Sequence, residues 1–578
     1  MSLQFEGIPA APGLCKGKAV VLTQEKIEWA GRDIGAAGVD NEISRFARAV
    51  EIAVTQLEDL SRQVASTLGE AEAEIIGAQS LMASDPGLAE DVTNRISQEL
   101  VSAENAVQDA CEEQAKMLEG LGDEYLAARA ADMRDVGRRI LAILTGATDR
   151  AALVGNLEPD TVIVADDLAP SETAAIDVAN IAGIVLDGGG RTSHTAILAR
   201  SMGIPAVMGL GNATGSITSG DLVLVDGNQG HVQVNPEPGQ LSKFGQAINL
   251  EAIRKRELSL LKNLPGVTAD GHHVELASNI GGAKEVSLVQ DSGSDGVGLF
   301  RTEFLFIDRN SAPSEDEQFE IYKEVLSELA PKPIVIRTLD AGGDKDIPYL
   351  GIPAEANPFL GLRAIRLCLQ EKGLFRSQLR ALLRASSFGT LRIMFPMVAD
   401  IHELRAAKRE YESVKAELES EGITVADNVQ VGIMVEVPSA AMQADVLAAE
   451  CDFFSIGTND LVQYTMACDR GNPAVSYLSD PFYPAVLRLI ARTIEEGHRK
   501  GIWVGMCGEM AGMPPAVPLL VGMGIDELSM APASVPRAKE IIRNLSYEDA
   551  KGIWHKVRKM ADRAEIRSYL EGLVEIGE

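Results

Sequence analysis

At 578 residues the chain exceeds what one hydrophobic core organises, and its texture changes divide it into several domains. A formal charge of −31, from 53 basic against 84 acidic side chains, argues against nucleic acid or an anionic membrane as the main partner and leaves a basic protein partner open. The six cysteines form no CxxC pair, no secretory leader opens the chain and no long apolar run occurs, which points to a cytoplasmic protein without zinc or a disulfide framework.

Residues 1–22 hold short β-prone runs punctuated by Gly7, Pro9, Pro12 and Gly13. From 41 to 145 proline nearly vanishes, Pro86 alone remaining. Ile43, Phe46, Ala47, Val50, Val54, Leu57 and Leu60 keep the i, i+3/i+4, i+7 spacing of an amphipathic helix, so this block predicts an all-helical subdomain. From 157 to 234, β-rich runs at 161–165, 181–186 and 222–225 alternate with alanine-rich ones, which predicts an α/β domain. The opening strands need sheet partners that a helical block does not offer. The predicted organisation is therefore an α/β domain from 1–25 and 146–235, with a helical subdomain, 26–145, inserted into it. A linker helix follows at 236–265. Over 266–578, strand-like runs at 274–280, 296–300, 334–337, 391–395, 430–436, 453–456, 503–506 and 527–530 alternate with helical ones. Eight such units favour a closed (β/α)8 TIM barrel over a doubly wound sheet.

Between the run at 181–186 and the next helical stretch lies Gly188-Gly189-Gly190-Arg191-Thr192-Ser193-His194. The first N–H groups of a helix lack internal partners and favour an anion, so His194 can carry a phosphoryl group there, with Arg200 as a counter-charge. A surface histidine in a glycine-rich turn is the plain alternative. In a barrel the reacting groups gather at the C-terminal ends of the strands. Arg301 and Arg337 stand at two such ends, and Lys345, Arg363 and Arg470 follow in nearby loops. Together they suit a small polyanion, because guanidinium forks grip phosphate and carboxylate bidentately; separate salt bridges are the competing reading. Glu436 sits in an apolar run, where an unpaired carboxylate is costly. With Asp460 it makes an oxygen site for Mg²⁺, unless an arginine claims it. Cys507, with an ordinary thiol pKa of about 8.5, can deliver a proton or simply pack as a small apolar group.

These residues resemble enzyme I of the bacterial sugar phosphotransferase system, the phosphoenolpyruvate–protein phosphotransferases, within the wider phosphoenolpyruvate-utilising enzymes. Gly189-Gly190-Arg191-Thr192-Ser193-His194 looks like the phosphohistidine signature. Asp452-Phe453-Phe454-Ser455-Ile456-Gly457-Thr458-Asn459-Asp460-Leu461-Val462-Gln463-Tyr464 looks like the family's second signature. Gly298 to Leu305 and Asn357 to Arg363 match further blocks, so the resemblance covers essentially the whole chain. It implies a swivelling phosphohistidine domain, and a His194 that takes the phosphoryl group of phosphoenolpyruvate and passes it to the carrier protein HPr, leaving pyruvate. It implies that Arg301, Arg337, Arg363 and Arg470 contact the substrate, with Lys345 available beside them and Asn459 assisting. Glu436 and Asp460 are implied to hold Mg²⁺, Cys507 to protonate the enolate, and Thr173 and Arg200 to steady the imidazole and its phosphate. The helical block is implied to dock HPr, and the barrel to form a homodimer. Ala11 and Cys15 depart from the family pattern without touching this chemistry. A phosphoenolpyruvate synthase or dikinase needs a nucleotide-binding module for which this sequence offers no glycine-rich loop. A regulatory relative with a non-sugar carrier stays open.

Overall fold

The computed structural model describes residues 3–575 apart from 23–28, 30–33, 68–69, 121–123, 148–149, 156, 170–171, 174, 191–192, 308, 344, 346, 353–354 and 473. The chain forms two compact units, Met1–Ile253 and Arg254–Glu578.

The first unit is built on strands β1 (Leu3–Glu6), β2 (Ile8–Ala11), β3 (Leu14–Leu22), β4 (Thr161–Ala165), β5 (Ile181–Leu186), β6 (Ala206–Met208), β7 (Leu222–Asp226) and β8 (His231–Val234). They make one mixed sheet in the order β1-β8-β7-β3-β4-β5-β6-β2. Lys18 of β3 stands opposite Thr161 of parallel β4 on one side and Leu222 of antiparallel β7 on the other. β4 is buried along its whole length and β5 nearly so, which is why both read as near-continuous apolar runs rich in valine and isoleucine.

Between β3 and β4 in the chain run the helices Val39–Thr67, Glu70–Ala83, Pro86–Glu99, Ala103–Gly120 and Glu124–Thr145. They bury a core of their own in which Leu57, Val92, Ile96, Val107 and Ile140 meet. Asp85 starts the third of these helices by accepting the N–H groups of Gly87 and Leu88, with Pro86 at the first helical position. The helical block thus leaves and re-enters the sheet between two neighbouring strands, as the change of texture predicts.

The second unit holds β9 (Glu275–Ile280), β10 (Gly296–Arg301), β11 (Pro333–Arg337), β12 (Thr390–Phe395), β13 (Gln430–Val435), β14 (Phe453–Ile456), β15 (Trp503–Met506) and β16 (Glu527–Met530). All pair in parallel with their neighbours, and β16 returns to β9, so the barrel closes. Each strand lies within one residue of its sequence expectation; the fifth stops at Val435 and leaves Glu436 just beyond the sheet. Leu299, Val335, Met394, Met434, Phe453 and Cys507 fill the interior, while alternate residues such as Phe300, Ile336, Phe395 and Val435 pack outward. The expected linker is helical over Pro238–Leu260. Among the described residues no helix is long and apolar enough to cross a membrane.

Candidate active site

The C-terminal mouth of the barrel is a network of buried charge. Arg337, the last residue of β11, donates from Nη2 to Glu303 Oε1 at 2.6 Å, and its Nη1 lies 3.1 Å from Asp340 Oδ2. Lys345 Nζ bonds the same two carboxylates, at 2.8 Å each. Arg363, fully buried, reaches Asp340 Oδ1 and Asp460 Oδ1 at 3.1 Å and donates to Tyr464 Oη at 3.2 Å. Arg470 Nη1 lies 3.6 Å from Asp460 Oδ2. The structure therefore gathers four of the five predicted cations on shared carboxylates, not in separate salt bridges. Arg301, half-buried at the end of β10, makes no ion pair with a described residue.

These pairings govern ionisation. Burial works against the charge on Asp340, but Arg337, Lys345 and Arg363 outweigh it and hold the carboxyl far below the ordinary range. Glu303 is likewise pulled down by Arg337 and Lys345 against its own burial. Glu436 goes the other way. Burial, then the nearby Asp460 and Asp340 carboxylates, push it up to about 8. Its Oε1 accepts the Met397 N–H at 2.6 Å. Room for its other oxygen depends on Gly457, where a Cβ would come within 2.9 Å of Oε2.

Asn459 ties the loops after β14 and β15 together, donating to Glu509 Oε1 at 3.1 Å and accepting the Glu509 N–H at 3.2 Å. Cys507, one residue past β15, is buried, and burial pushes its thiol up to about 11. Its carbonyl accepts from Asn279 Nδ2 at 3.0 Å.

In the first unit, β5 ends at Leu186, Asp187 follows, and Gly189 turns the chain with φ +81°, a conformation that favours glycine. The helix His194–Met202 begins directly after Ser193, whose hydroxyl caps it by accepting the Ala196 N–H. His194 is thus at the helix N-terminus, and its side chain lies outside what the structure describes. Thr173 is buried with its hydroxyl donating to Ala169 O at 3.0 Å; Arg200 is exposed, its Nε donating to Ala196 O at 3.1 Å.

The family model for the PEP-binding domain of PEP-utilising enzymes matches residues 255–547, that for their N-terminal domain residues 6–129, and that for their mobile domain residues 157–230. Phosphoenolpyruvate-protein phosphotransferases of Bacillus sp. (strain S) and Bacillus subtilis (strain 168) are 46% and 44% identical, each over 98% of this chain and over 97% and 99% of their own. The chain belongs to the phosphoenolpyruvate–protein phosphotransferases. A solution structure of Enzyme I shares 41% identity, covering 43% of this chain and 99% of its own, at a TM-score of 0.39.

Within this phosphotransferase, sequence reasoning missed two members of the mouth and one of its supports. Asp340 is the hub of three cations and Glu303 of two, yet neither stands out in a linear reading that seeks positive charge. Asn279 looks like an ordinary strand-end amide until closure of the barrel brings Cys507 beside it. A carboxylate three residues after a strand-end arginine, as in Arg337-Thr338-Leu339-Asp340, was the available signal for the first.

Proposed function

We propose that this phosphotransferase moves the phosphoryl group of phosphoenolpyruvate to its own His194 and then to a histidine of the carrier protein HPr, releasing pyruvate in the cytoplasm as the first step of sugar uptake by the phosphotransferase system. The observation that carries the reading is the charge of the barrel mouth. Among its described buried and half-buried side chains, Arg301, Arg337, Lys345, Arg363 and Arg470 outnumber Glu303, Asp340, Glu436 and Asp460, and Arg301 makes no ion pair with a described residue. An excess of cations, two of them buried and three half-buried, suits a small, highly charged anion.

Phosphoryl transfer depends on in-line positioning and charge neutralisation more than on covalent help from the protein. The five cations hold the phosphate and carboxylate of the substrate, and Asn459 fixes its orientation. The His194 ring attacks phosphorus as the bond to the enolate oxygen breaks. The enolate carbon then takes the proton of the Cys507 thiol and becomes the methyl group of pyruvate. Thr173 and Arg200 steady the imidazole and its phosphate.

The donor set suits Mg²⁺. Among the described residues no group of three or more histidines, cysteines or carboxylates converges as a metal site. Glu436 and Asp460 nevertheless oppose each other's charge, a repulsion a divalent cation relieves, and Mg²⁺ typically takes one or two carboxylates with substrate oxygens and water. Bound there, it supplies further neutralisation of the phosphoryl oxygens.

In this reading 1–25 with 146–235 is the phosphohistidine domain, 26–145 docks HPr, 236–265 is the hinge that lets His194 alternate between partners, and 266–578 binds substrate and forms the homodimer. Incubation with labelled phosphoenolpyruvate and Mg²⁺ tests it. Acid-labile, base-stable label is expected on the wild type and none on His194→Ala, whereas label persisting on that variant refutes the assignment.

A further inference from the structure

Ser455 is the third residue of β14. Phe454 and Ile456 on either side of it join the outer core, while Phe453 joins the interior cluster, so strand alternation aims Ser455 at the barrel axis. The residue is completely buried, and its Oγ has no hydrogen-bond partner. A hydroxyl left unpaired in a core costs free energy, which asks what it is kept for.

Its neighbour across the sheet supplies the answer. Ser455 stands opposite Gly505 of β15, which has no side chain, and the next inward side chain on that strand is Cys507. The sulfur is poorly served: its contact with Ile456 O is 3.9 Å long, and that carbonyl already takes the N–H groups of Cys507 and Gly508 at 3.1 and 3.4 Å. A buried hydroxyl with no partner at full hydrogen-bond geometry therefore lies one inward position from a buried sulfur that has only a long contact. Burial is the main influence that raises the thiol's pKa, and Glu436 and Glu527 add to it; the Ser455 hydroxyl and the Arg337 charge act in the opposite direction.

We propose that Ser455 is a positioning residue for the proton donor, its hydroxyl donating a hydrogen bond to Cys507 Sγ and holding the thiolate that forms when the thiol gives up its proton. The inference rests on the reading of Cys507 as that donor. In the step itself the S–H bond breaks and its electron pair stays on sulfur. The enolate's π pair forms the new C–H bond, and the enolate oxygen becomes the keto oxygen of pyruvate. The Ser455 O–H bond stays intact throughout, and water returns a proton to the thiolate after product leaves.

The test compares full-length wild type, Ser455→Ala and Ser455→Thr. The rate at which iodoacetamide alkylates the peptide containing Cys507, followed against pH, reports thiol ionisation without any catalysis. Its midpoint is expected to rise by about one unit in Ser455→Ala and to return towards wild type in Ser455→Thr. Exchange of pyruvate methyl hydrogens in D₂O is expected to slow about tenfold in Ser455→Ala with an unchanged KM for phosphoenolpyruvate. An unmoved alkylation midpoint in Ser455→Ala overturns the proposal. Undiminished methyl exchange in Cys507→Ala instead overturns the proton-donor reading, and the hydrogen bond to sulfur is then judged by the midpoint alone.

Discussion

The two ends of the barrel solve opposite problems with the same residue types. At the mouth five buried or half-buried cations face four buried carboxylates among the described residues, and those carboxylates hold arginine and lysine in place without cancelling them. At the N-terminal end, Arg392 of β12 stacks over Trp503 at 4.5 Å, and Trp503 stacks on Phe453 at 4.6 Å. Arg392 Nη1 there faces Glu275 at 3.8 Å and Glu527 at 3.6 Å, two carboxylates from register partners on adjacent strands. One cation serves two acids. Burial, and then the Glu275 charge, push Glu527 up to about 8, so the deficit at this end is met by a retained proton. On the function proposed above, the excess of cations at the mouth serves a ligand, whereas the excess of carboxylates at the other end bears on stability.

That contrast is open to direct attack. Arg337→Met strikes the mouth hardest, because it removes a proposed substrate cation and leaves Glu303 and Asp340 short of a partner. Phosphohistidine formation is expected to fall about 10³-fold, and a loss below tenfold would make the mouth's ion pairs structural. Cys507→Ala should slow pyruvate turnover about 10²-fold while KM changes little, read from initial rates with saturating carrier. At the other end Arg392→Met is expected to spare phosphoryl transfer but cost the barrel about 2 kcal/mol, visible as a lower thermal midpoint. Lost activity in a stable variant would show that the two ends are coupled.

Glu527→Gln gives the smallest effect and the most specific sign. With its folded pKa at about 8 against an ordinary 4.5, the fold binds a proton that the unfolded chain releases. The stability this proton contributes is fully present below about 4.5 and is lost as pH rises towards 8. The glutamine variant should flatten that decline and gain stability relative to wild type as the pH rises to 8. Parallel pH–stability curves for the two proteins would mean that Glu527 is ionised in the fold.

The strands were legible because parallel strands buried on both faces must be written as short apolar runs, and the helical insert because a long stretch without proline reads in one period. Strand ends then led to Arg301, Arg337, Glu436 and Cys507. What linear reading lacks is pairing at a distance. Asp340 gathers Arg337, Lys345 and Arg363 only once the chain has folded back on itself, and Asn279 meets a carbonyl 228 residues away. The lower cluster escaped for another reason. Attention to C-terminal strand ends passes over Arg392, Glu275 and Glu527, although a charge inside an apolar strand was the same signal that singled out Glu436.

The order of the first sheet has a consequence for how the protein is made. Leu3 of β1 pairs with Val234 of β8, so β1 finds its partner only once the last strand of that unit has been made, whereas β3 can already pair with β4. At a synthesis rate of 5–20 residues per second, that interval is roughly 10–50 s. The helical insert, with a core of its own, is the part able to collapse meanwhile. Leu3–Glu6 are thus among the last residues of their unit to settle.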